Sequence, residues 1–258
     1  MSSSYFTRTS ATEFVATELT AGAWNPQEIH IAPALGLLTH ILQEDFAARR
    51  PGDTLDLSRI SFDILGTAPI GEVRVDTEVI RPGRTIELVQ ARLIIAERPV
   101  VIARGWFSAA FDTGSIESTA LKRMPSRYAI PSWNFLEAWE GAFVDSVDAH
   151  RTVLSPGHAQ GWLSSRTPLL EGVEVSPLVK LMTVMDIVNG LVLKHNPKEV
   201  AYPNIDLSIH LFRSPEGHWF GADTTMSIGP AGHGLTHTHL HDEKGPIGVL
   251  SQTLTVRP

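Results

Sequence analysis

The run from Pro33, ALGLLTHILQEDFAARR, sets Leu35, Leu38, Leu42 and Phe46 at helical spacing, and Arg49, Arg50, Pro51 and Gly52 close it with C-terminal cations and chain breakers. This spacing predicts one long, largely apolar helix. The residues that follow are rich in β-branched and aromatic side chains over Leu57 to Leu65, Glu72 to Ile80, Thr85 to Ala96 and Val100 to Ala110. Turn chemistry at Thr67-Ala68-Pro69-Ile70-Gly71 and Arg81-Pro82-Gly83 separates them, so a helix and then four strands are expected.

The pattern recurs after a polar stretch, Phe111 to Pro131, that reads as a linker. Pro177 to Lys194 is a second apolar helix, and Asn204 to Phe212, His218 to Ile228, Gly234 to His241 and Ile247 to Val256 are four further strands. ISFDIL from Ile60 aligns with LSIHLF from Leu207, and VVIARGWF from Val100 with IGVLSQTL from Ile247, both at an offset of 147 residues. Two segments at one offset indicate a duplicated unit. The expected domains are residues 1–115 and 136–258, with 116–135 between them. A helix followed by strands without crossover helices favours an α+β architecture with antiparallel sheets. Trp133, Phe135, Trp139 and Phe143 suggest a further amphipathic helix packed between the repeats.

Composition narrows the chemistry. The chain has 258 residues, 43% of them hydrophobic, and no cysteine, which excludes disulfides, thiolate metal sites and a cysteine nucleophile. A net charge of −7 argues against a nucleic-acid partner. No hydrophobic leader or apolar span marks secretion or a membrane anchor, so a cytoplasmic protein is expected. Neither a Gly-x-Ser-x-Gly elbow nor a phosphate-binding loop is present.

The strings YFTRTSATEFVATELTAGAWNPQEIH (Tyr5 to His30), VIRPGRTIELVQARL (Val79 to Leu93), PNIDLSIHLFR (Pro203 to Arg213), GHWF (Gly217 to Phe220) and GHGLTHTHLHDEKGPIGVLSQTLTVR (Gly232 to Arg257), taken in order with the helix from Pro33, resemble the acyl-CoA thioesterase-like double-hotdog family related to type II acyl-CoA thioesterases. The resemblance implies two tandem hotdog units, each a long central helix wrapped by a curved antiparallel sheet. It also implies acyl-CoA as substrate and no metal or organic cofactor. Its catalytic trio of Asp, a hydroxyl residue and Gln falls on Asp206, Ser227 and Gln252, with Thr224 or Thr225 as alternatives for the hydroxyl.

Hydrolysis by this trio needs water activated by a carboxylate, a proton acceptor and oxyanion donors. At the offset of 147, Asp206 falls on Arg59 and Gln252 on Gly105, so one active site rather than two is expected. Relatives carry His-Gly-Gly-Pro-Pro-Ala at the start of the first helix, whereas this chain reads His30-Ile31-Ala32-Pro33-Ala34. His30 is therefore a substrate-binding candidate with altered neighbours. Asp186 and Asn189, which interrupt the apolar face of the second helix, are further substrate-binding candidates, and Asp186 is a reserve base. Arg81, Arg84 and Arg213 are possible partners for CoA phosphates.

His237, His239 and His241 share a face of one strand and suit an interface better than a metal site. Exposed sheet edges make a homo-oligomer plausible. Two rival functions remain at this stage: an acyl-CoA or lipid-binding module without hydrolysis, and an enoyl-thioester hydratase or dehydratase.

Overall fold

The computed structural model describes residues 3–258. The first unit contains β1 (Phe6–Arg8), β2 (Glu13–Ala16), α1 (Ile31–Arg49), β3 (Leu55–Ile64), β4 (Glu72–Arg81), β5 (Ile86–Ile95) and β6 (Arg98–Ala109). The second contains β7 (Ser132–Trp133), α2 (Ala142–Asp145), β8 (Val147–Ser155), β9 (His158–Ser165), α3 (Pro177–Val184), α4 (Val188–Leu191), β10 (Asp206–Leu211), β11 (Phe220–Ile228), β12 (His233–Asp242) and β13 (Gly245–Thr255). All the strands form one 13-stranded sheet in the order β1-β2-β4-β5-β6-β3-β10-β13-β12-β11-β9-β8-β7, so the order in one unit mirrors that in the other.

The duplication extends to register. Ser61 pairs with Arg104, Gln90 with Arg104 and Thr77 with Ala91 in the first unit. In the second, Ser208 pairs with Ser251, His237 with Ser251 and Thr224 with Thr238, each partner displaced by the same 147 residues. The units join where β3 and β10 run antiparallel, with Ser61 opposite Ser208. Those two residues are themselves 147 apart, so a local two-fold axis passes between them.

The helices cross on the same axis. A Cβ on Gly36 of α1 would lie 2.2 Å from Thr183 Oγ1 of α3, again a residue 147 positions away, so the close crossing requires glycine. Around it α1 is buried on nearly every side, with Leu35, Leu37, Leu38 and Leu42 fully enclosed. Burying each such side chain contributes about 1.5–3 kcal/mol, which holds α1 without reliance on an exposed polar face. At its C-terminal end, Arg49 Nη2 and Arg50 Nη1 bind the buried Glu87 of β5 at 2.8 and 3.1 Å.

Two expectations are corrected. The second helix is not continuous from Pro177 to Lys194: α3 tightens into a 3-10 turn at Met185–Ile187 before α4. The aromatic stretch from Trp133 to Phe143 is not one helix either, but β7, a 3-10 turn at Phe135–Glu137 and the single turn α2. Gly141, at φ 117°, breaks the chain direction there. Among the described residues no helix is long and apolar enough to cross a membrane.

Candidate active site

The 3-10 interruption of the second helix carries Asp186, which is 4% exposed. A mid-helix change of winding re-aims side chains and frees backbone groups from the regular ladder. Here the freed carbonyl of Asp186 accepts from Gln252 Nε2 at 2.8 Å. Gln252 is on β13, directly opposite Thr236 on β12, and its Oε1 accepts from Thr236 Oγ1 at 2.8 Å. With both ends of its amide bonded and only 2% of its surface exposed, Gln252 is fixed in one orientation.

The carboxylate of Asp186 has its own partners. Oδ1 accepts from Asn204 Nδ2 at 2.7 Å, and Asn204 in turn donates to the Asp206 carbonyl at 3.2 Å. Oδ2 is 3.7 Å from His30 Nδ1. Burial pushes the Asp186 carboxyl up to about 6, against the downward pull of the amide donors Asn204 and Gln252. The group is thus mostly ionised at neutral pH and basic enough to take a proton from water.

His30 caps α1 with its ring: Nδ1 accepts from Ala32 N–H at 3.1 Å. The proton of the neutral imidazole is accordingly assigned to Nε2. Burial holds the imidazole down to about 3, so the contact with Asp186 is between a neutral ring and a carboxylate, not an ion pair. The ring of Phe143 packs on it with centroids 4.3 Å apart. His30 comes from the first unit and the other polar groups from the second, so the cluster is a composite of both.

A cleft of about 430 Å³ opens onto this cluster, lined by Trp24, His30, Ile64, Asp186, Asn189, Ile205 and Arg257 among others. A much smaller space shares Trp24, His30 and Asn189 with it in its lining.

Of the six sequence candidates, the structure brings together Gln252, Asp186, His30 and Asn189 and leaves out two. Asp206 alternates with the core residues Leu207 and Ile209 of β10 and so faces the outer side of the sheet, where Oδ1 accepts from Thr253 N–H at 2.5 Å. Ser227 is exposed on the outer face of β11, alternating with the buried Met226. The trio Asp206, Ser227 and Gln252 is therefore not assembled, because strand alternation sends two of its members away from the helices. Of the alternatives, Thr225 also faces outward and Thr224 pairs with Thr238 at 2.9 Å.

Thr236 and Asn204 were missed. The signal was in the offset: Asp186, Asn204, Thr236 and Gln252 fall on Thr39, Leu57, Val89 and Gly105, three of which are apolar. In the first unit a Cβ on Gly105 would meet Leu57 Cδ1 at 2.7 Å and Leu42 Cδ1 at 3.3 Å, so the corresponding position is filled by leucine.

Other candidates lie elsewhere. None of Arg81, Arg84 and Arg213 lines the cleft, and Arg213 is held in a two-pronged pair with the buried Asp242 at 2.7 Å. The His237 and His239 rings stand edge to face, centroids 5.4 Å apart, whereas His241 is buried and bonds the Lys122 carbonyl at 2.9 Å. His241 stays on the same face, opposite Gly221 of β11, and is buried there by the chain at Lys122 and Met124. Among the described residues no group of three His, Asp or Glu side chains is arranged to hold a metal ion.

Two mirrored units, each laying an antiparallel sheet around a helix, with a buried carboxylate where the helices meet, define a double-hotdog thioester hydrolase. Residues 20–108 match the acyl-CoA thioesterase N-terminal domain and residues 118–256 the acyl-CoA thioesterase C-terminal domain. The chain belongs to the acyl-CoA thioesterase family.

Solved structures share the fold across nearly the full length. An acyl-CoA thioesterase II, TesB2, from Mycobacterium marinum is 14% identical with a TM-score of 0.70, over 98% of this chain and 95% of that one. A protein from Thermobifida fusca assigned as a thioesterase II is 17% identical with a TM-score of 0.72, over 99% and 96%. A hot dog fold protein from Alicyclobacillus acidocaldarius is 10% identical with a TM-score of 0.73, over 96% and 94%. No curated protein matches the chain in sequence.

Proposed function

We propose that the chain hydrolyses acyl-CoA thioesters with water activated by Asp186 and without a covalent intermediate. The observation that carries this reading is the ionisable, buried Asp186 carboxylate, raised to about 6 and lining the cleft together with His30 and Asn189. In the mechanism, ionised Asp186 accepts a proton from water as the water oxygen bonds to the acyl carbon. As the tetrahedral intermediate collapses, the C–S bond breaks and the CoA sulfur takes the proton from Asp186, giving the free acid and CoA and returning Asp186 to its ionised form. With no cysteine in the chain, a thiol nucleophile is excluded.

Gln252 and Thr236 act here as positioning residues, since they hold the backbone that carries Asp186. Asn204 orients the carboxylate through Oδ1 and leaves Oδ2 for water. His30 Nε2–H and the Ile31 N–H at the start of α1 are the candidate donors for the oxyanion. Ala32 N–H is already taken by His30 Nδ1, and Pro33 has none to offer.

The test is release of CoA thiol from acyl-CoA esters by the purified protein and by Asp186→Asn. Loss of about 10²–10⁴-fold in kcat with the fold retained is expected for removal of a general base. Full activity in Asp186→Asn, or activity abolished instead by Asp206→Asn, would move the base elsewhere.

A further inference from the structure

The N-terminal arm of the second unit, Trp139 to Ser146, touches both halves of the polar cluster. At one end Trp139 Nε1 donates to the carbonyl of Gly190, the residue after Asn189, at 3.3 Å. Further along, Phe143 of α2 is fully buried and lays its ring on the imidazole of His30, with centroids 4.3 Å apart and planes 37° from parallel. Between them Gly141, at φ 117°, lets the arm press against the loop that leads into α1. A Cβ there would lie 2.7 Å from the Gly22 carbonyl oxygen and 2.8 Å from that of Ala21, so the close approach requires glycine.

Phe143 is itself held by backbone and ring. Its N–H donates to the Ala21 carbonyl at 3.2 Å, its carbonyl accepts from Ser146 Oγ at 2.5 Å, and its ring meets that of Tyr5 at 5.6 Å. The Tyr5 hydroxyl shares a hydrogen bond with Ser146 Oγ at 2.6 Å and closes the network. The ring of His30, by contrast, is held within the chain by one hydrogen bond, from Ala32 N–H to Nδ1. One bond fixes a point of the imidazole but not its plane, and the terminal torsion of histidine is broad. Packing against Phe143 supplies the missing constraint, because a close-packed aromatic neighbour leaves the ring no volume to turn into.

We infer that Phe143 is a positioning residue for the reaction: it fixes the plane of the His30 ring and so aims Nε2–H at the oxyanion. This rests on the thioesterase reading given above, in which His30 is a donor to that oxygen. Phe143 does not line the cleft and acts through the imidazole alone. It also shields one face of the ring from water, which disfavours a second proton there, so Nδ1 stays an acceptor for Ala32 N–H.

The experiment is a double-mutant cycle on kcat, read by release of CoA thiol from whichever of acetyl-, octanoyl- and lauroyl-CoA turns over fastest. Its corners are the unaltered chain, Phe143→Leu, His30→Asn and the double variant. Leucine keeps the position apolar but offers the imidazole no flat ring. Phe143→Leu should lower kcat by about 10- to 100-fold with KM little moved, because a misaimed group costs rate rather than binding. In the His30→Asn background the same change should cost nothing further, since the donor that Phe143 aims is gone. A purely structural Phe143 would lower kcat by the same factor in both backgrounds. If Phe143→Leu does not fold, Phe143→Met, unbranched and able to fill the same space, carries the cycle.

Equal losses in the two backgrounds, or full kcat in Phe143→Leu, would overturn the inference while leaving hydrolysis intact. If the unaltered chain turns over none of the esters, it is the hydrolysis reading that falls, and the ring is then followed directly by NMR of the chain labelled with ¹⁵N-histidine. The His30 signals, assigned by their loss in His30→Asn, should report a single Nε2–H tautomer at neutral pH. In Phe143→Leu they should broaden or move toward a mixture of tautomers. His30 signals identical in the two chains would show that Phe143 does not hold the ring.

Discussion

The side-chain amide of Gln252 holds Asp186 by its main-chain carbonyl at 2.8 Å, so the strand grips the backbone of the broken helix. Replacing Gln252 with Leu leaves that carbonyl and the Thr236 hydroxyl without their partner. Each buried group so orphaned costs about 1–3 kcal/mol. A fall in Tm together with a loss of kcat larger than any change in KM is expected, and Thr236→Val should show a smaller version of both. A Gln252→Leu enzyme with unchanged kcat would remove Gln252 from the positioning role.

Rate should follow the protonation of Asp186. With its carboxyl near 6, kcat/KM measured on a stable acyl-CoA should rise with pH through about 6 and level above it. Asp186→Asn should abolish that limb, whereas a limb that persists in the residual activity would belong to another group.

Stability should respond in two opposite senses. Asp186 has its folded value raised above 3.8, so the folded state holds the proton more tightly; that contribution is present below about 4 and is lost as pH rises to about 6. His30 has its folded value lowered from 6.5 to about 3, so its contribution is present above 6.5 and is lost as pH falls toward 3. The two offset each other between about 4 and 6, and below that window the His30 loss stands alone. Denaturant titrations across pH should show Asp186→Asn to be more stable than the unaltered chain at neutral pH, because a buried charge is removed.

His30 has two jobs that substitution can separate. His30→Asn keeps an acceptor for Ala32 N–H, whereas His30→Ala removes the cap and costs about 0.5–2 kcal/mol of stability. Both lose the imidazole donor, so both should lower kcat. Equal rates in His30→Asn and the unaltered chain would exclude the ring from the oxyanion site.

Arg257 is the cation of the cleft lining, and charge reversal there should act on binding. Arg257→Glu is expected to raise KM for acyl-CoA, more at low than at high salt, with kcat nearly unchanged. A short thioester lacking the nucleotide should be insensitive to the change.

The fold was legible in the chain because both of its periodicities are strong and because the same offset of 147 appears in two strands. Gln252 entered through the resemblance to type II acyl-CoA thioesterases, and the offset, which sets it on a glycine in the first unit, marked the two units as different there. Asp206 was misleading: it begins a strand beside Asn204, and one position of strand phase decides which side of the sheet a carboxylate faces. Asp186 was visible only as an interruption of an apolar helix. The 3-10 turn that exposes its carbonyl depends on tertiary contacts with Gln252 and Asn204, about which the local sequence is silent.

Joining the two units in one chain has an effect on what each can become. In a dimer of identical subunits the Ser61 and Ser208 positions would be one residue, and any change near the axis would appear on both sides at once. Here leucine can fill one side while a carboxylate occupies the other, and neither has to fit both settings. Covalent linkage thus frees the two faces to diverge, one toward packing and one toward chemistry, within a single continuous sheet.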